Sequence, residues 1–283
     1  MTRLLMSDIV KSVRELPALP VIVIELMSTM DQEDAGGNEL AEKLSRDQAL
    51  TAKTLRLANS SFYGMQSKVT SIQQAIAILG FNGVRTLVTT AAVIGSFSGS
   101  KSGTFDFLAF WRHSVATAVC AKLLAKSLHL NQDYAFMIGL LHDIGRLVLV
   151  TSSPEHYAEV LNHRAQRDCC LLDAELAVLG VPHTIVGGAL AAHWKFPLLM
   201  QKAIESHHDR AHGTMPSLAG LVHIADAIAH GLDLSGIDDD IVPPVSAETW
   251  NSLGLSQDIA DGIFCETEAQ FEEACQILLS MQG

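Results

Sequence analysis

Between residues 133 and 151 the chain reads DYAFMIGLLHDIGRLVLVT. Most of this run is apolar, so it belongs in a protein interior. Yet it carries His142, Asp143 and Arg146 within five residues. A carboxylate buried without a partner costs several kcal/mol. Any fold that hides this segment must therefore bring a compensating group to Asp143. The same polar residues interrupt the run as a bilayer span, and the apolar stretch 84–96 reads as too short for one.

The rest of the chain has helical periodicity. In ELAEKLSRDQALTAKTLRLANS, Leu40 and Leu44 stand four apart, Leu55 and Ala58 three apart, and Leu50 and Leu57 seven apart, spacings that recur on an apolar helical face. In TSIQQAIAILG, Ser71 and Gln74 form a capping-box pattern and Gly80 predicts a helix end. Pro182 and Pro197 each stand where a helix opens. No segment alternates with period two, and no repeat of 20–50 residues is visible. The expected fold is all-α, two packed helical bundles. The Gly- and Ser-rich stretch GSFSGSKSGTF (95–105) reads as their linker. It divides an N-terminal helical subdomain (1–100) from a second subdomain (101–283), whose closing segment 247–283 reads as a packing helix pair. DLSGIDDDIVPP (233–244) reads as a solvated acidic loop, since the EF-hand spacing is absent.

Composition narrows the function. The 283 residues are 48% hydrophobic and 18% charged, enough for a sizeable core and unlike a disordered chain. The net charge is -12, with no basic cluster, which disfavours long nucleic acid and an acidic membrane surface as partners. Asp8 interrupts the start of the chain where a signal peptide needs an apolar run. Five cysteines without a CxxC spacing read as buried thiols in a reducing compartment. Together these predict a cytoplasmic protein.

Twelve histidines are many for this length. His113 lies inside an apolar helical run, His142–Asp143 and His207–His208 end two others, His183 opens a fourth, and Asp226 sits in GLVHIADAIAH. Helical bundles build metal sites from side chains of this kind on facing helices. Two divalent ions roughly 3.5–4 Å apart require a bridging carboxylate, and Asp143 is the candidate through its two oxygens. Histidine with aspartate favours Fe, Mn or Zn over Ca. A buried His–Asp pair that satisfies itself by hydrogen bonding is the alternative reading of His142 and Asp143. Isolated histidines such as His129, His156, His163 and His212 read as ordinary surface or core residues.

The order of motifs resembles a known family. LPALP (16–20), LTAKTLRLANSSFYG (50–64), SIQQAIAILGFNGVR (71–85), FWRHS (110–114), GLLHDIGRLVL (139–149) and GVPHTIVGGALAAHWKFP (180–197) together resemble the HDOD family, the HD-related output domains of bacterial signalling proteins. The resemblance extends over about residues 14–230. It implies that the second subdomain is an HD-superfamily-like helical core. In that superfamily of metal-dependent phosphohydrolases the signature is His, His–Asp and a distant Asp, matched here by His113, His142–Asp143 and Asp226. The HD-GYP branch, which hydrolyses cyclic di-GMP, adds a His and a His–His pair, and His183 and His207–His208 fall in that order. The implied metal ligands are thus His113, His142, Asp143, His183, His207, His208 and Asp226, holding one or two divalent transition ions. Asp143 and Arg146 are the implied catalytic residues, Arg146 as a phosphate contact in place of that branch's Lys.

Two departures stand out. HHDRAHGTMP lacks the Gly-Tyr-Pro of the HD-GYP branch, which argues against cyclic di-GMP as substrate. Ala109 replaces the Glu that in some relatives supports a third ion. Two functions follow from the resemblance. One is a metal-dependent phosphohydrolase acting on a phosphorylated small molecule or nucleotide. The other is a catalytically inactive regulatory module that contacts a signalling partner protein.

Overall fold

The computed structural model describes residues 6–16, 18–28, 37–59, 68–97, 105–209, 215–237 and 241–279. The linker residues 98–104, the motif residues 60–67 and 210–214 (with His212), and the aspartates 238–240 lie outside the described residues, as do the side chains of Leu40 and Leu57. Among the described residues there are fifteen helices and no strand. They are α1 Met6–Glu15, α2 Val21–Ser28, α3 Gly37–Ser45, α4 Gln48–Ala58, α5 Ile72–Ser96, α6 Phe107–Ser127, α7 Gln132–Leu141 and α8 Ile144–Ser152. There follow α9 Pro154–Arg167, α10 Leu171–Val178, α11 His183–His193, α12 Leu198–Ser206, α13 Leu218–Gly231, α14 Ala247–Ser252 and α15 Gln257–Leu279.

The helices form two compact units whose membership does not follow a single cut near residue 100. One unit holds α2–α5, the Trp194–Pro197 turn and the end of α15 from Glu272; the other holds α1, α6–α14 and α15 up to Phe271. In the first unit α2, α3 and α4 all pack on α5. Asn59 joins the end of α4 to the approach of α5. Its amide donates to the Leu55 and Val69 carbonyls at 2.8 and 2.7 Å, and its Oδ1 accepts from the Val69 N–H at 2.6 Å. Ser71 caps α5 by accepting from the Gln74 N–H, while Gln74 reaches back to the Thr70 N–H. Gly80 does not end the helix as expected. Its φ of 76° and ψ of 167° make a kink, and the helix resumes to Ser96. Glycine tolerates that left-handed backbone, so the chain bends there instead of stopping.

The second unit is built around α6, which packs against α7 and α13. Apolar residues cover α6 and α13 on nearly every side, which suits helices at the centre of a bundle. Two glycines set how closely their helices approach. A Cβ on Gly139 of α7 would lie 2.8 Å from Ala118 Cα of α6. One on Gly145 of α8 would overlap the His183 carbonyl and lie 2.6 Å from the Gly187 nitrogen of α11. The glycine in HDIG is therefore a contact between helix backbones.

Two expectations need correcting. By length and composition Ile72–Ser96 and Gln132–Ser152 are each sufficient to cross a membrane. The apolar helix that contains residues 84–96 starts twelve residues earlier than that segment, and the polar residues 142, 143 and 146 do not remove the second span from consideration. Most of the Gln132–Ser152 window is nonetheless buried inside the protein. The thiols are also not uniformly buried. Cys120 and Cys275 are, Cys169 and Cys170 are partly so, and Cys265 is exposed, being on the outward side of α15.

Candidate metal centre

Six helix ends or faces of the second unit converge. α6 supplies His113, the α7–α8 turn supplies His142 and Asp143, α11 opens with His183, α12 is followed by His207 and His208, and α13 supplies Asp226. All except His208 are buried. Asp143 Oδ1 lies 3.0 Å from His183 Nε2, 3.6 Å from His207 Nε2 and 3.7 Å from His142 Nε2. Asp226 Oδ1 lies 3.0 Å from His113 Nε2 and 3.5 Å from His142 Nε2, and its Oδ2 is 3.9 Å from His208 Nδ1. The His113 and His142 Nε2 atoms are 3.2 Å apart. The structure thus brings all seven sequence-predicted ligands together.

The ring nitrogens facing away from this centre are anchored. His142 Nδ1 donates to the Gly139 carbonyl at 2.7 Å, His207 Nδ1 to the Ile204 carbonyl at 2.8 Å, and His183 Nδ1 to Glu175 Oε2 at 2.7 Å. Carbonyl and carboxylate oxygens only accept, so Nδ1 carries a proton in each of these rings and Nε2 is the nitrogen that faces inward. There it meets carboxylate oxygens. The buried Nε2 atoms of His183 and His207 and both oxygens of Asp226 have ring nitrogens and carboxylate oxygens as their close polar neighbours. Two ligand atoms each about 2.1 Å from a common ion are themselves roughly 3.0–3.5 Å apart at ordinary coordination angles. The contacts of 3.0 to 3.5 Å therefore fit a cage for a divalent cation, and the residues fit the metal that their chemistry implies.

The electrostatics around Asp143 are organised by residues outside the predicted set. Its Oδ2 accepts from Arg146 Nη1 at 2.7 Å. Arg146 also donates from Nε to the Tyr157 hydroxyl at 3.2 Å, and that hydroxyl donates to Glu175 Oε1 at 3.4 Å. Glu175 Oε2 accepts both the backbone N–H and the ring N–H of His183, capping α11 and returning the chain of contacts to Asp143. The Arg146 guanidinium lies 5.8 and 5.5 Å from the ring centroids of Phe105 and Phe110, within cation–π range. Burial alone would raise the Asp143 pKa, but His142, Arg146 and His183 outweigh it and hold the carboxyl well below its usual range. Burial alone would lower that of His183, but the Glu175 and Asp143 carboxylates carry it up to about 10. His113 is driven down to about 4, mainly by burial and then by His230.

The centre opens into a cavity of about 120 Å³. Asp143, His183, His208 and Asp226 reach its wall, and Leu171, Leu172, Pro243 and Pro244 make its apolar side.

The HDOD domain family matches residues 16–210 of the chain, well over half its length. The chain belongs to the HDOD domain family. An HDOD domain protein of unknown function from Geobacter sulfurreducens has the same fold, with a TM-score of 0.81 at 26% identity over 96% of this chain and 97% of that one. A provisionally assigned phosphohydrolase from Shewanella amazonensis SB2B gives a TM-score of 0.75 at 30% identity, over 96% and 98% of the two chains. An uncharacterized protein of Treponema pallidum (strain Nichols) is 26% identical over 216 residues, 75% of this chain and 41% of that protein. The HDOD chain spans less than half the length of the curated relatives it matches.

Two of the sequence-predicted roles gain detail on this HDOD scaffold. Asp143 turns Oδ1 to the histidines while its Oδ2 accepts from Arg146. Arg146, expected at a phosphate, lines the cavity and also donates to Asp143 and Tyr157. Sequence reasoning missed Glu175, Tyr157, His223 and His230. His223 Nδ1 donates to the His207 carbonyl at 2.8 Å, and His230 Nε2 lies 3.3 Å from Asp226 Oδ1. The signal for His230 was its i+4 spacing from Asp226 on one helix face. Glu175 had the same signal as Asp143, a charge within an apolar helical run.

Proposed function

We propose that this HDOD protein is a cytoplasmic bacterial signalling protein with a divalent transition-metal centre of Fe, Mn or Zn. We propose further that it is a phosphohydrolase of a phosphorylated small molecule or nucleotide. One observation carries the reading: ring nitrogens and the carboxylates of Asp143 and Asp226 converge in largely buried groups, an arrangement suited to a divalent cation. When bound, divalent ions supply Lewis acidity and lower the pKa of water toward 7. Asp143 Oδ1, Asp226 and the histidines would hold them. Glu175 fixes the tautomer and position of His183. Arg146 positions Asp143 by holding its outer oxygen. Tyr157 ties Arg146 to Glu175, so these supporting groups are locked before any substrate arrives. The cavity suits a phosphate-sized group against an apolar wall.

The test is elemental mass spectrometry of untagged protein purified without chelator, beside Asp143→Ala. Hydrolysis of p-nitrophenyl phosphate, nucleotides and cyclic dinucleotides with Mn²⁺ is then measured. Metal lost in the variant together with hydrolysis supports the proposal, and protein without metal overturns it. The internal commitment of Arg146 favours a second reading, in which the centre is structural and the protein acts by contact with a signalling partner. Stoichiometric metal with no hydrolysis of any substrate would select that reading.

A further inference from the structure

The centre has two differently built sides, and the second uses a residue outside the signature. Asp226 and His230 are four residues apart on α13, so both project from one face of the helix. His113 of α6 meets them. Its Nε2 is 3.0 Å from Asp226 Oδ1, His230 Nε2 is 3.3 Å from the same oxygen, and the two imidazole rings are 4.3 Å apart. Asp226 is 1% exposed, and against that burial the imidazoles of His230, His113 and His142 are the groups that hold its carboxyl well below its usual range. Ligand atoms of all three residues lie within 4.8 Å of one another. A second group with the same property is formed by Asp143, His183, His207 and His208. His142 stands between the two, 3.5 Å from Asp226 Oδ1 and 3.7 Å from Asp143 Oδ1.

We infer that His113, Asp226 and His230 form a subsite for a divalent transition ion of their own, separate from the Asp143 subsite, with His230 as a ligand. The inference rests on the metal-centre reading above and extends it. Its carboxylate has no counterpart of Arg146, so the ion is the charge that balances Asp226. Its imidazoles suit Mn²⁺, Fe²⁺ or Zn²⁺ better than Ca²⁺ or Mg²⁺. His230 is 16% exposed and lines the cavity, so this subsite faces the side from which a ligand enters. The family match ends at residue 210, short of α13, so the assignment of His230 stands on geometry.

The test is Mn²⁺ titration of metal-stripped protein, with bound ions counted by loss of the free Mn²⁺ resonance signal. Wild type, His230→Gln, His230→Ala and Asp143→Asn are compared, and folding is checked by thermal melts in chelator. Wild type should take up two ions. Both His230 variants should keep one with unchanged affinity and bind the other roughly tenfold or more weakly. Asp143→Asn should weaken the opposite ion. If the His230 variants bind two ions as wild type does, His230 is not a ligand and the inference falls. If they lose both while still folded, the two subsites are not separate and it also falls. A wild type that binds one ion, retained by both variants, overturns the second subsite but leaves a metal centre standing. Wild type that binds no Mn²⁺ overturns the underlying metal reading instead.

Discussion

Asp143 and Asp226 are equally hidden, yet the protein handles their charges differently. Asp143 is supported: a guanidinium holds one oxygen at 2.7 Å, and a chain through Tyr157, Glu175 and His183 closes around the other. Asp226 has no guanidinium at either oxygen; the imidazoles of His113, His142 and His230 surround it. The difference shows two ways of keeping a carboxylate inside a bundle. One brings a guanidinium in the sequence, and the other relies on imidazoles, where on our inference a divalent ion completes the balance. Stability should therefore depend on internal residues on the Asp143 side and on dissolved metal on the Asp226 side.

The harshest way to break the contrast is Gly145→Ala. The added methyl has no room beside the His183 carbonyl, so α11 must move and the Asp143 side comes apart. A loss of about 4 kcal/mol or more is expected in urea unfolding; wild-type stability would mean that α8 and α11 do not approach as closely as described. Next is Arg146→Leu in chelator. An uncompensated buried carboxylate should cost about 3–5 kcal/mol, and Arg146→Lys should not recover it, because one ammonium cannot reproduce the planar fork that spans Asp143 and Tyr157. A neutral outcome would remove the distinction between the two sides.

The paired asparagine variants sharpen it. In chelator at pH 8, Asp143→Asn should lose roughly 1.5–3 kcal/mol, the value of a hydrogen bond to a charged group. Asp226→Asn should lose less than Asp143→Asn does, because its partners are imidazoles rather than a guanidinium. With Mn²⁺ added, the Asp226 variant should gain less thermal stability than wild type. Equal losses in chelator would show that the two carboxylates are held alike.

The smallest effect is a slope with pH. The pKa of His183 lies near 10 in the folded protein and about 6.5 in an unfolded chain. Between these values the folded state holds the extra proton, so metal-free stability is full below about 6.5 and falls as pH rises toward 10. A bound divalent ion takes the proton's place at Nε2 and should flatten the slope. Chemical denaturation from pH 6.5 to 9.5, with and without Mn²⁺, reads both. A metal-free slope that rises with pH would contradict the Glu175–His183–Asp143 arrangement.

The helices and the ligand clusters were legible because they depend on local rules. Apolar spacing gave α5, α6 and α13, and charged residues in apolar runs marked His113, His142 and Asp143. What was not legible depends on approach between distant segments. Gly80 reads as a stop, and only the packing of the rest of α5 turns it into a kink. The partners that hold Arg146, Tyr157 directly and Glu175 through it, come from helices further along the chain and leave no mark beside Arg146 in the sequence. α1 joins the unit of the later helices through packing on α8 and α11, which no linker composition announces.

The candidate ligands are scattered from residue 113 to residue 230, on six helix ends or faces. An ion held by His113 and Asp226 would close a loop of about 110 residues, much as a disulfide does. In the chain-entropy picture a cross-link of that span constrains the unfolded chain by about 4–5 kcal/mol. The fold of the second unit would then report on metal supply: a cell starved of the ion would present proteases with a looser chain, and its abundance would follow the ion even where its surface is unchanged.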